Sequence, residues 1–103
     1  MQLLTEELRA SLPPLRSQVQ SKDPHVYAKF FTPASTWTWF VIEGSAEEDD
    51  FIFFGFVAGV EEEWGQFSLS ELNEVRGPSE HPIERDLTFK PACLSEVLAR
   101  DHL

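Results

Sequence analysis

Thr36-Trp37-Thr38-Trp39-Phe40-Val41-Ile42-Glu43 is the stretch on which the fold turns. It is rich in aromatic and β-branched residues, which fit a pleated and half-buried strand. Its period of two places Trp37, Trp39 and Val41 on one face and Thr36, Thr38, Phe40 and Ile42 on the other. Downstream, Gly44–Asp50 reads as an acidic loop, and Phe51–Ala58 returns as a second long strand that is apolar on both faces. Such a strand must be covered on both sides, most simply by a helix on one and by a loop or a partner on the other. Gly55 within it allows a bulge or a close backbone approach.

Working outward, His25–Thr32 alternates as the preceding strand, closed by a turn at Thr32-Pro33-Ala34-Ser35. Gly59–Glu63 is a second acidic turn, followed by a short strand near Trp64–Phe67. Ser68-Leu69-Ser70-Glu71 has the form of a capping box and opens a short helix to about Val75, stopped by Gly77-Pro78. Ile83–Phe89 alternates as a fifth strand, and Pro91 is placed to open a last helix through Arg100. At the start of the chain, Thr5 can cap a helix that Pro13-Pro14 end, and 15–24 reads as a polar loop. The short element Leu-Ser-Glu occurs at Leu69–Glu71 and Leu94–Glu96, in both cases where a helix is expected to start. Strands joined by hairpin-length connections, with helices among them, imply an α+β domain: a mostly antiparallel sheet of four to five strands with short helices packed on it. At 103 residues, one domain spanning 1–103 is expected.

Charge is segregated along this framework. Between Lys29 and Arg76 there is no Lys, Arg or His, yet ten acids occur there, so this one stretch supplies the whole formal charge of −10. An aromatic core under a one-signed surface repels nucleic acid and anionic lipid and attracts basic partners. The single Cys93 excludes an intrachain disulfide and a thiolate zinc site, and the expected setting is a reducing cytoplasm. The longest apolar run, Phe51–Val60, is far too short to span a bilayer as a helix. The N-terminus lacks the basic start and apolar stretch of a signal peptide.

Segments along nearly the whole chain resemble the domain-of-unknown-function family numbered 2958. They include Leu3-Leu4-Thr5 through Leu12-Pro13-Pro14-Leu15, Val26 to Pro33 with Trp37-Thr38-Trp39, and Phe67-Ser68-Leu69-Ser70-Glu71-Leu72. Val75-Arg76-Gly77-Pro78 and Pro82 to Leu87 with Phe89-Lys90-Pro91 continue the resemblance. It implies a small bacterial or phage protein carried on mobile elements, with relatives near antirestriction-type genes. It brings no catalytic residues with it.

Two acid groups are the candidate partner-binding residues: Glu47, Glu48, Asp49 and Asp50 at one end of the third strand, and Glu61, Glu62 and Glu63 at the other. Carboxylates spaced along a strand can stand in for the phosphates that a nucleic-acid-binding groove expects. The plain alternative is a pair of solvated loops whose charges keep the chain soluble. Ser45 to Asp50 lacks the alternating ligands and the turn glycine of a calcium loop, so no metal is expected there. His25, His81 and His102 have no i,i+4 partner and no nearby thiol, and Cys93, though near a helix start, has no local nucleophile motif and is expected to pack under the last helix. Trp37 and Trp39 lack the basic neighbours of a base-stacking platform and are expected in the core. Arg85, on the face of Ile83 and Leu87, needs an acid partner or an anion; with Tyr27 and the Trp strand it marks a candidate pocket.

The expectation is therefore a non-enzymatic, cofactor-free interaction domain, monomeric or a small homo-oligomer, binding neither nucleic acid nor membrane directly. Its expected partner is the basic surface of a host nucleic-acid-handling or defence protein, so that it acts as an anti-CRISPR or antirestriction inhibitor by occlusion. Two other classes stand beside it: a small ligand-binding domain or enzyme, and an oligomeric accessory protein.

Overall fold

The computed structural model describes residues 2–33 and 35–101. Ala34 and His102, both weighed above, lie outside the described residues. The expected α+β architecture is present. A five-stranded antiparallel sheet has the order β5-β4-β3-β2-β6, formed by β2 (Ala28–Phe31), β3 (Thr38–Glu47), β4 (Asp50–Ala58), β5 (Glu62–Ser68) and β6 (Glu84–Arg85). Beside it, β1 (His25–Val26) pairs with β7 (Ala92–Cys93) in a two-stranded ribbon. Three short helices complete the fold: α1 (Glu6–Ser11), α2 (Leu69–Glu74) and α3 (Leu94–Asp101).

Sheet alternation divides the core in two. Trp39 and Val41 of β3, Phe51 and Phe53 of β4 and Phe67 of β5 bury one face together with Leu8 of α1 and Leu72 of α2. Phe40, Ile42 and Phe56 bury the other, against Val26 and against Leu94 and Val97 of α3. The doubly apolar β4 is thus covered on both sides, as its composition requires. Thr5 and Ser68 cap α1 and α2, each side-chain oxygen accepting an amide three residues on.

Several boundaries differ from the sequence reading. The Gly44–Asp50 loop does not exist as such: β3 runs on to Glu47, pairing Gly44, Ser45 and Ala46 with Phe53, Ile52 and Phe51. Only Glu48 and Asp49 turn the chain, Glu48 adopting a left-handed φ of 52°. Burial of Phe51 and Phe53 aligns β4 along the full length of its partner, and ladder pairing overrides the poor strand propensity of Glu47 and Ser45. The strand expected at His25–Thr32 breaks at Tyr27, and β1 turns to pair with β7 instead of β3.

The fifth strand shrinks from Ile83–Phe89 to Glu84–Arg85. The Asp86 carboxylate accepts the amide and hydroxyl of Thr88 at 2.9 and 2.7 Å, bending the chain out of the sheet and leaving Leu87 exposed. The last helix begins at Leu94, because Ala92 and Cys93 are engaged in the ribbon; Cys93 is exposed there, not packed under the helix.

Gly55 meets its close approach. A Cβ at this position would collide with the Phe40 carbonyl oxygen, beside an irregularity between Val41 and Glu43 where the β3–β4 register shifts by one residue. The shift sends the consecutive side chains Ile42 and Glu43 to the same sheet face. That one residue takes the Glu43 carboxylate out of the acidic surface.

Candidate functional site

The acids from 43 to 63 fall into three classes that sequence alone does not separate. Glu43 is buried, with 3% of its surface exposed. Its two carboxylate oxygens accept the backbone amides of Arg16 and Gln18 at 2.7 and 2.6 Å. Glu43 is therefore a structural anchor and not part of an acidic surface. The segment 15–24, read as a polar loop, carries turns over 15–20 that this carboxylate fixes to the sheet. Ser45 Oγ accepts the Leu15 amide at 2.9 Å, and the Gln18 side chain accepts the His25 amide and donates to the Ile42 carbonyl. Arg16 is held at φ 74° within it.

Asp50 is a clamp. One of its oxygens accepts the Ser70 amide at 3.2 Å and the Phe51 amide at 2.8 Å; the other accepts the Ser70 hydroxyl at 2.5 Å. The Ser70 hydroxyl first, then the Phe51 amide, hold the Asp50 carboxyl below the usual aspartate range. An equivalent clamp ties α3: Asp23 accepts the Ser95 amide at 2.9 Å and the Ser95 hydroxyl at 2.5 Å, and its carboxyl is lowered by the same pair of bonds, hydroxyl first. The recurring Leu-Ser-Glu elements do start helices, and each start is held by an aspartate distant in sequence.

Glu47, Glu48, Asp49, Glu61, Glu62 and Glu63 remain, and all six are exposed. The structure does not bring the two groups together: Glu47 pairs with Asp50 at one end of β4 and Glu62 with Ala58 at the other. The nine residues of β4 set them roughly 27 Å apart along the strand. None of the six forms an ion pair among the described residues.

Arg85 and Tyr27, the candidate pocket residues, each have a side-chain partner. Arg85 Nη1 donates to Thr5 Oγ1, the cap of α1, at 3.2 Å, while Tyr27 packs edge-on against His25 with centroids 4.6 Å apart. Trp39 is buried as expected; Trp37, stacked on it at 6.0 Å, is 40% exposed.

A groove of about 420 Å³ opens elsewhere, between the sheet and the turns of 14–24. Ile42, Phe54 and Trp64 form its sheet side, and Leu15, Val19 and Pro24 stand across from them. Trp64 lies parallel to Phe54 (5.9 Å, 13°) and edge-on to Phe56 (5.2 Å, 69°). Arg16 and Lys22 also line this groove, and Glu43 is the one acid among its lining residues. The signal for it was in the sequence: β4 is apolar on both faces, and Leu15 and Val19 interrupt a polar run. Their convergence was not, because it depends on Glu43 folding 14–21 back over the sheet. A further hollow of about 270 Å³ has Lys29, Asp86, Lys90 and Arg100 among its lining residues. The Asp86 carboxyl is held below its usual range, chiefly by the Thr88 hydroxyl.

Among the described residues no three His, Cys, Asp or Glu side chains cluster as a metal site, and no helix is long and apolar enough to cross a membrane. The family model described as protein of unknown function (DUF2958) matches residues 3–100. The chain belongs to the DUF2958 family. That match runs from before α1 into α3, so the groove and both acidic ends lie within the matched DUF2958 region. No curated protein and no solved structure matches this DUF2958 chain.

Proposed function

We propose that this chain is a small protein-interaction domain whose two acidic hairpin ends engage a cationic surface of a nucleic-acid-handling or defence protein. The observation that carries the reading is the placement of six exposed acids at opposite ends of β4, unneutralised among the described residues. A rigid antiparallel hairpin fixes their separation, at roughly 27 Å the rise of about eight phosphates along one strand of a duplex. A ruler of this kind suits occlusion of a groove built for a nucleic-acid backbone. The habitat implied by the family resemblance, mobile elements near antirestriction-type genes, makes a restriction or CRISPR effector the target class, and the cytoplasm the place of action.

The test is capture of partners from a host lysate at low and high salt, with a variant in which Glu47, Glu48, Asp49, Glu61, Glu62 and Glu63 are all replaced by Ser. Asp50 and Glu43 stay unchanged, since removing them would loosen α2 and the 14–21 segment. A nucleic-acid-binding partner retained at low salt, released at high salt and lost in the variant supports the proposal. Equal retention by the variant sinks it.

A further inference from the structure

The groove under residues 14–24 is independent of the acidic ends and has the attributes of a small-molecule site. We propose that it binds a small anionic ligand with a flat aromatic body, the ring stacking on Trp64 and the negative group meeting Arg16 and Lys22.

Size and shape come first. A volume of about 420 Å³ lies in the range of small-ligand pockets. The groove is preformed, because five hydrogen bonds from Glu43, Ser45 and Gln18 fix its outer wall to β3 and β1, so little ordering opposes binding. Its apolar groups are left wet: Trp64 is 49% exposed and Val19 is 71% exposed. The parallel Trp64–Phe54 pair is a stack that a further planar ring can extend.

Charge then selects the sign of the ligand. The chain carries −10 overall, yet two of its eight cations, Arg16 and Lys22, line this one groove. Neither forms an ion pair among the described residues. Glu43, the only acid lining the groove among the described residues, has both oxygens occupied by backbone amides, so it fixes the wall and leaves the two cations to receive an anion.

The experiment uses the full chain, with naphthoate as probe and naphthalenemethanol as its neutral counterpart, followed by tryptophan fluorescence and by amide chemical shifts. Saturable binding of naphthoate is expected, with shifts confined to residues 15–24, 42–43 and 54–66. Neutralising both cations (Arg16→Gln with Lys22→Gln) should weaken naphthoate about tenfold and change naphthalenemethanol by less than about twofold. Trp64→Ala should weaken both. The double loop variant changes only exposed side chains, so it reports on binding even where Trp64→Ala alters the edge strand. Absence of saturable naphthoate binding into the millimolar range, equal affinity for the neutral counterpart, or shifts centred elsewhere would overturn the proposal. So would a dimer in light scattering that shields Trp64 and dissociates in the Trp64→Ala variant, which would assign the groove to a second copy.

Discussion

Replacing Glu43 tests the central structural claim, that a single buried carboxylate turns a polar segment into the wall of a groove. In Glu43→Ala, two amide donors at 2.7 and 2.6 Å lose their acceptor. Hydrogen bonds to a charged acceptor contribute about 1.5–3 kcal/mol each, so the gross loss is roughly 3–6 kcal/mol. Both amides belong to a partly exposed segment and regain water when it lifts, which brings the net destabilisation to about 3 kcal/mol. For a domain of this size that corresponds to a fall in Tm of roughly 12–24 °C. Glu43→Gln keeps the shape and one acceptor oxygen and should lose about half as much. Urea unfolding measures the global term, and hydrogen exchange at the Arg16 and Gln18 amides measures the local one. Both amides should approach unprotected rates in Glu43→Ala. A variant within about 0.5 kcal/mol of the parent, with those amides still protected, would show that Glu43 does not anchor the segment.

Three further outcomes follow from the same geometry. Gly55→Ala forces a Cβ onto the Phe40 carbonyl and should destabilise by about 2–4 kcal/mol, read by chemical denaturation. Gly65→Ala, whose Cβ meets nothing within 4 Å, should be neutral or stabilise by up to about 1 kcal/mol; the reverse order would contradict the β3–β4 register. Asp23, Asp50 and Asp86 all have folded pKa values below their unfolded ones, so each contributes stability that is fully present above about pH 4 and lost as the pH falls through the folded value. Unfolding midpoints measured between about pH 2 and 6 should therefore drop in acid, and the drop should be shallower in the Asp23→Asn, Asp50→Asn double variant. Ser70→Ala should lower the Tm more than Ser79→Ala, because only Ser70 ties a helix start to a distant aspartate.

Much of the architecture was legible in the chain because it rests on local rules. Thr5 and Ser68 sit where capping chemistry requires, and each Leu-Ser-Glu element opens a helix. The double apolar faces of Phe51–Ala58 announced a strand covered on both sides. Where the reading failed, a long-range partner had overruled a local preference. Ser45 to Glu47 join the ladder because Phe51 and Phe53 need a partner strand, and Ile83–Phe89 leaves it because Asp86 binds Thr88.

The candidate sites divide in the same way. Charge segregation marked the acids, but burial and long-range hydrogen bonds decided their roles. Glu43 turned inward at the register shift in β3, Asp50 became a clamp for α2, and six others stayed in water. The groove depends on contacts between residues as far apart in sequence as Leu15 and Trp64, which no periodicity encodes. Contiguous residues alone carried the antiparallel sheet, the Leu-Ser-Glu helix starts and the sign of the surface, since these follow from alternation and composition. Which carboxylates stay exposed and where an aromatic slot opens were settled by tertiary contacts, because both depend on which segments fold against β3 and β4.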